Sequence, residues 1–198
     1  MKAESWKATF WQTVQQPDFA GTLKQASLDG NLAAWTSMLT NVVVYVCQQL
    51  GCHAAGKGHR SSLLPINNHE YLSLDVLAFD GATPGWHFPV AAFELENSAT
   101  DTRVEYSLWK VLSVRVPLRV VFCYRRTADE APGLMRKLDQ AVINPIGIEQ
   151  RMAIVGEVFV VMGCRAEASV FPYDFFRWWQ LDKNRGGFVQ SRGERGNI

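Results

Sequence analysis

Two stretches of this chain, "LRVVFCY" at 118–124 and "AIVGEVFVVMG" at 153–163, are almost unbroken apolar runs of strand length. A strand wetted on one face alternates apolar and polar side chains, whereas a strand covered on both faces does not. Two such runs call for helices on either side of a sheet, so the chain is read as α/β with a central mixed β-sheet flanked by helices.

The remaining patterns agree with that architecture. Trp6, Phe10, Trp11 and Val14 recur at helical spacing from Glu4 to about Gln16, and Pro17 stops the segment. A longer helix starts near Asn31, carries Leu32, Trp35, Leu39, Val42, Val43, Val46 and Leu50 on one face, and ends at Gly51. Residues 54–62, rich in Gly, Lys, His and Arg, read as an exposed basic loop. In "EYLSLDVLAFD" (70–80) the period drops to two: Leu72, Leu74 and Val76 alternate with Tyr71, Ser73 and Asp75, which places Asp75 opposite the aliphatic side chains. Turn residues at 81–86 lead into "VAAFELENS" (90–98), so the two runs are expected to pair as an antiparallel hairpin with a long loop. A helix after Asp101 aligns Val104, Leu108, Val111 and Leu112 and is closed by Pro117; a polar helix spans about Asp129 to Ala141.

With 198 residues and no repeat or linker, the chain is expected to form one domain, 1–198, with a core at about 31–165 and an aromatic and basic extension at about 166–198. A net charge of +1 argues against nonspecific coating of nucleic acid but leaves room for a local basic groove. The amino terminus has no apolar signal core, and the apolar stretch Ala33–Leu50 is interrupted by Thr36, Ser37, Thr40 and Asn41, so a cytoplasmic protein without a membrane span is expected. The four cysteines form no CxxC pair and are expected as thiols; Cys47, Cys52, His53 and His59 match no common zinc spacing.

Candidate chemistry centres on Asp75, Glu94 and Glu96, three carboxylates at neighbouring strand ends. Crowded negative charges raise one another's pKa unless a cation neutralises them, and oxygen ligands of this kind suit Mg²⁺ or Mn²⁺. Charged strand ends that merely protect a sheet edge would account for the glutamates without chemistry. A salt-bridged structural aspartate would do the same for Asp75.

An acid on one strand, a turn, then an apolar strand ending in acid-x-acid and followed by a helix resembles the restriction-endonuclease-like PD-(D/E)xK nuclease superfamily over about residues 31–125. The resemblance implies a restriction-endonuclease-like core in which Asp75 is the first motif acid and Glu94 and Glu96 are the ends of the (D/E)xK triplet in its ExE form. "PD" itself is absent, since Leu74 precedes Asp75, and Glu96 stands where most relatives have Lys. By this likeness, Asp75, Glu94 and the Leu95 carbonyl would hold Mg²⁺ (or Mn²⁺), and Glu96 would orient or deprotonate water. Lys110, on the following helix, would supply the missing cation, as a Lys or Gln there does in several relatives. Helical angles put Lys110, Tyr106 and Arg103 roughly opposite the apolar stripe, facing either the site or water. The implied activity is a divalent-metal-dependent nuclease on nucleic acid, with DNA the expected form, with Lys57, Arg60 and Arg103 as backbone contacts and a homodimer suited to cutting both strands. The alternative is a noncatalytic nuclease-fold module that binds nucleic acid or a protein partner.

"FPYDFFRWWQLDKNRGGF" (171–188) offers aromatics that could stack on bases, with core packing or a subunit interface the more ordinary use. Arg192 and Arg195 suggest a basic tail. The chain has no GxSxG, GxxxxGK[ST] or GxGxxG, and "HEYLS" lacks the second His of a zinc protease.

Overall fold

Seven strands join into one mixed sheet whose spatial order follows chain order, β1 (His53–Gly56), β2 (Val76–Phe79), β3 (Pro89–Leu95), β4 (Leu118–Arg125), β5 (Glu157–Cys164), β6 (Phe176–Asp182) and β7 (Gly187–Ser191). The computed structural model describes residues 1–191. The β1–β2–β3 meander is antiparallel, β3, β4 and β5 are parallel, and β5–β6–β7 is antiparallel again. Every residue of β4 is buried, as an apolar run without alternation requires.

Helices α1 (Ala3–Val14), α2 (Pro17–Leu28) and α3 (Leu32–Gln49) cover one face. They pack against Phe93, Leu95, Val120 and Phe122. The other face takes α4 (Asp101–Leu112) and α5 (Ala131–Leu138) with its π-helical continuation at Asp139–Ile143; the short α6 (Ile148–Met152) buries none of its residues. Val104, Leu108 and Val111 of α4 are fully buried there against Ala92 and Val121. Each such side chain contributes about 1.5–3 kcal/mol on leaving water. The Asn31 side chain accepts the Ala34 N–H at 3.0 Å and so caps α3, matching the expected start of the long helix.

Three sequence expectations change. Pro17 ends α1 but also opens α2, because at the first helical position its missing N–H costs nothing. The basic loop expected at 54–62 begins as β1, with Ala54, Ala55 and Gly56 buried. Only small residues fit there: a Cβ on Gly56 would lie 2.9 Å from the Asp75 carbonyl oxygen. The alternating run at 70–75 is a turn and not a strand, since Leu72 and Ser73 have φ of 56° and 55°, leaving Leu72 exposed. The aromatics at 171–188 take the more ordinary of their expected uses and build core: Phe171, Phe175, Phe176 and Trp178 pack with Trp35, Phe10 and Phe122, and β6 and β7 extend the sheet. The suggested basic tail at Arg192 and Arg195 lies outside the described residues. Among the described residues, no helix is long and apolar enough to cross a membrane.

Candidate functional site

Strand register explains why Asp75 and Glu94 meet. Val76 pairs with Phe93, so one step further along this antiparallel pair Asp75 stands across from Glu94. Residues 77 and 79 of β2 and 92 of β3 face α4, and the strand period carries Asp75 and Glu94 to that same face. Both acids therefore lie at one sheet edge, beneath α4, where β1, β3, β4 and β5 end.

Helix α4 is pinned at both ends by arginines of β4. At its start, Asp101 receives Arg125 Nη2 at 2.5 Å, with Lys137 on its other oxygen. The two cations hold the Asp101 carboxyl below the usual aspartate range, Lys137 most strongly. At its far end, the buried Arg119 guanidinium donates to the carbonyls of Val111 (2.9 Å), Val114 (2.6 Å), Val116 (2.8 Å) and Val155 (2.7 Å). A cation against the last carbonyls of a helix also complements its dipole. Clamped in this way, α4 presents Ser107 and Lys110 to Glu94.

Glu94 is only 3% exposed. Its Oε2 accepts Lys110 Nζ at 2.7 Å and Ser107 Oγ at 3.1 Å, while Oε1 is buried with no hydrogen-bond partner among the described residues. Lys110 Nζ also donates to the Ser73 carbonyl at 3.0 Å, tying the left-handed turn before Asp75 to the helix. Burial pushes the Glu94 pKa up to about 7; Asp75 adds to the rise, and Lys110 and Ser107 oppose it. Asp75 Oδ2 accepts the Leu95 N–H at 2.7 Å, replacing a strand partner where β2 has run out. Burial raises the Asp75 pKa as well, against the Leu95 hydrogen bond and the Lys110 charge.

The expected residues thus separate into two groups. Asp75, Glu94, Lys110 and the backbone of Leu95 come together. Lys110 lies on the flank of α4 beside buried Ser107, and not opposite the apolar stripe, so its ammonium turns inward. Glu96 lies one residue beyond β3; its carboxylate accepts the Ser98 N–H at 2.6 Å and so shapes the loop before α4. Among the described residues, no group of three or more His, Cys, Asp or Glu is assembled to hold a metal ion, so the expected three-acid cluster is a pair. Lys57 follows Gly56 at the same edge and is exposed; Arg60 is exposed and donates to His69 Nε2 at 2.8 Å; Arg103 is exposed on the first turn of α4.

Ser107 and the Ser73 carbonyl were not anticipated. A small polar residue inside the 104, 107, 108, 111 stripe was the available sign that something polar lay beneath the helix. The Ser73 carbonyl had no sign, because it depends on a backbone turn.

Chemically, buried Glu94 and half-buried Asp75, both with raised pKa values and the former incompletely neutralised, form a site with capacity for a further cation. A small hard cation needs only one or two protein carboxylates, with water and substrate oxygens completing its shell. The free Glu94 Oε1 and the second Asp75 oxygen fit that requirement. No protein-family model matches this chain, and no curated protein or solved structure matches it.

Proposed function

We propose that this edge is the centre of a divalent-metal-dependent nuclease that hydrolyses phosphodiester bonds in nucleic acid. The observation that carries the reading is Glu94 Oε1: a buried carboxylate oxygen without a partner, beside a second acid, costs free energy that a bound cation offsets. The chain order of acid, turn, acid and helix-borne lysine supports it through the likeness to the restriction-endonuclease-like superfamily.

Asp75 and Glu94, with the Leu95 carbonyl, would hold Mg²⁺ or Mn²⁺. When bound, the ion supplies Lewis-acid polarisation of a phosphoryl oxygen. Lys110 takes the place of the triplet lysine: its ammonium spreads positive charge toward an oxygen gaining negative charge as the bond to phosphorus breaks. Glu96, on releasing Ser98, orients the attacking water or accepts its proton. Lys57, Arg60 and Arg103 contact backbone phosphates, which carry affinity without sequence choice.

The Lys110–Glu94 ion pair favours a second reading, a noncatalytic nucleic-acid-binding module in which the lysine stands in for the metal. Calorimetric titration of Mn²⁺ separates the two. The nuclease reading expects binding by the wild type, loss of that binding in Asp75→Asn and Glu94→Gln with unchanged circular dichroism, and Mn²⁺-dependent cleavage of labelled DNA. A folded wild type that binds nucleic acid but takes up no divalent ion overturns it in favour of the second reading.

A further inference from the structure

Tyr106 and Trp109 stand one turn apart on the solvent side of α4, 51% and 57% exposed. Their rings stack, with centroids 6.0 Å apart and planes within 18° of each other. The opposite face of the same helix is fully buried, so neither ring is needed by the core. Lys110 Nζ lies 5.3 Å from the Tyr106 ring centroid, the same ammonium that contacts Glu94 Oε2 at 2.7 Å. A flat aromatic plate is thus joined through one cation to the acid pair, with exposed Arg103 a turn from Tyr106 on the same flank.

We infer that the Tyr106–Trp109 plate stacks on unpaired bases and that the chain's ligand is single-stranded nucleic acid. Bases in a duplex are stacked on each other and present only edges and backbone, whereas every unpaired base offers a π-face to an exposed ring. Charge points the same way: exposed Arg103, a turn from Tyr106, offers a cation to the backbone of a stacked nucleotide, and the Lys110 ammonium, though paired with Glu94, lies against the Tyr106 ring. The inference rests on the nuclease reading for the reaction that follows binding, but not for the binding itself. A single strand also has no need of the two-fold partner that duplex cleavage favours.

The test is anisotropy of a fluorescein-labelled oligothymidylate and of a blunt duplex of equal length, in low salt with EDTA. Tighter binding of the single strand is expected, weakened roughly 5- to 100-fold in Trp109→Ala and Tyr106→Ala, the worth of one stacked base, and largely kept in Trp109→Phe. Light scattering on the same samples reads oligomeric state. Equal affinity for the duplex, no effect of Trp109→Ala, or a dimer that Trp109→Ala dissolves without changing oligonucleotide binding would each overturn the inference. Hydrolysis of bis(4-nitrophenyl) phosphate by the wild type with Mn²⁺ is read in parallel. Its absence with ring-dependent strand binding sinks the nuclease and keeps the plate, and the reverse outcome does the opposite.

Discussion

Beneath α4 lie two buried charges with opposite histories of compensation. Arg119, near the end of the helix, has no carboxylate partner among the described residues, yet its guanidinium is matched by the carbonyls of four residues. Glu94, beneath Ser107 and Lys110, has a formal ion pair but leaves one oxygen bare. A count of salt bridges would call Glu94 the satisfied group and Arg119 the orphan. Hydrogen bonding reverses that judgement: the arginine completes the fold, while the glutamate keeps unspent capacity for a ligand.

The contrast breaks most visibly at Arg119. Arg119→Met should leave several buried carbonyls without donors and lower stability by about 3–5 kcal/mol. Urea unfolding checks this, and Arg119→Lys should rescue little, because three donors on a flexible stem cannot reproduce the fork. At the other end, Lys110→Met should cost about 2 kcal/mol by the same measurement, since it leaves Glu94 Oε2 with Ser107 alone and strands the Ser73 carbonyl, although partial exposure lets water replace some of the loss. Glu94→Gln should change stability at neutral pH by less than about 1 kcal/mol, because removing a poorly solvated charge offsets the weakened contact with Lys110.

A finer test uses pH. The Glu94 pKa is higher in the folded chain than in the unfolded one, so the native state binds the extra proton between the usual glutamate range and about 7. The resulting stability is fully present below the unfolded pKa and is lost as pH rises through about 7. Asp75, Lys110 and Ser107 are the groups that face it and set the midpoint. Thermal melts of wild type and Glu94→Gln from pH 5 to 8 should therefore show the wild type losing stability relative to the variant as pH rises, at no more than about 1.4 kcal/mol per pH unit. A wild-type profile parallel to that of Glu94→Gln would show that Glu94 is already compensated, and the contrast with Arg119 would vanish.

What could be read from residues alone follows from which forces are local. The apolar runs of β4 and β5 and the stripes of α3 and α4 announce burial directly, so the α/β class and the mixed sheet were legible. Asp75 and Glu94 were legible as neighbours because a hairpin fixes register. Strand β1 was hidden because its four residues, His-Ala-Ala-Gly, three of them small, carry little strand propensity, and Gly56 owes its place to close packing beside Asp75. Leu72 and Ser73 imitated a strand because alternation in sequence cannot reveal a left-handed backbone. The inward turn of Lys110 depends on how α4 is seated, which Arg119 and Arg125 of the following strand fix through its two ends, and no helical wheel contains that information.

The agreement of spatial and sequential strand order has a kinetic corollary. Each new strand docks on the one made just before it, so no segment has to slip between two that are already joined, and loop closures stay modest in entropy. The rim that gathers the acids belongs to the earlier half of the row, whereas the helical layer closes across the whole chain, since Phe10 of α1 packs on Phe176 and Trp178 of β6.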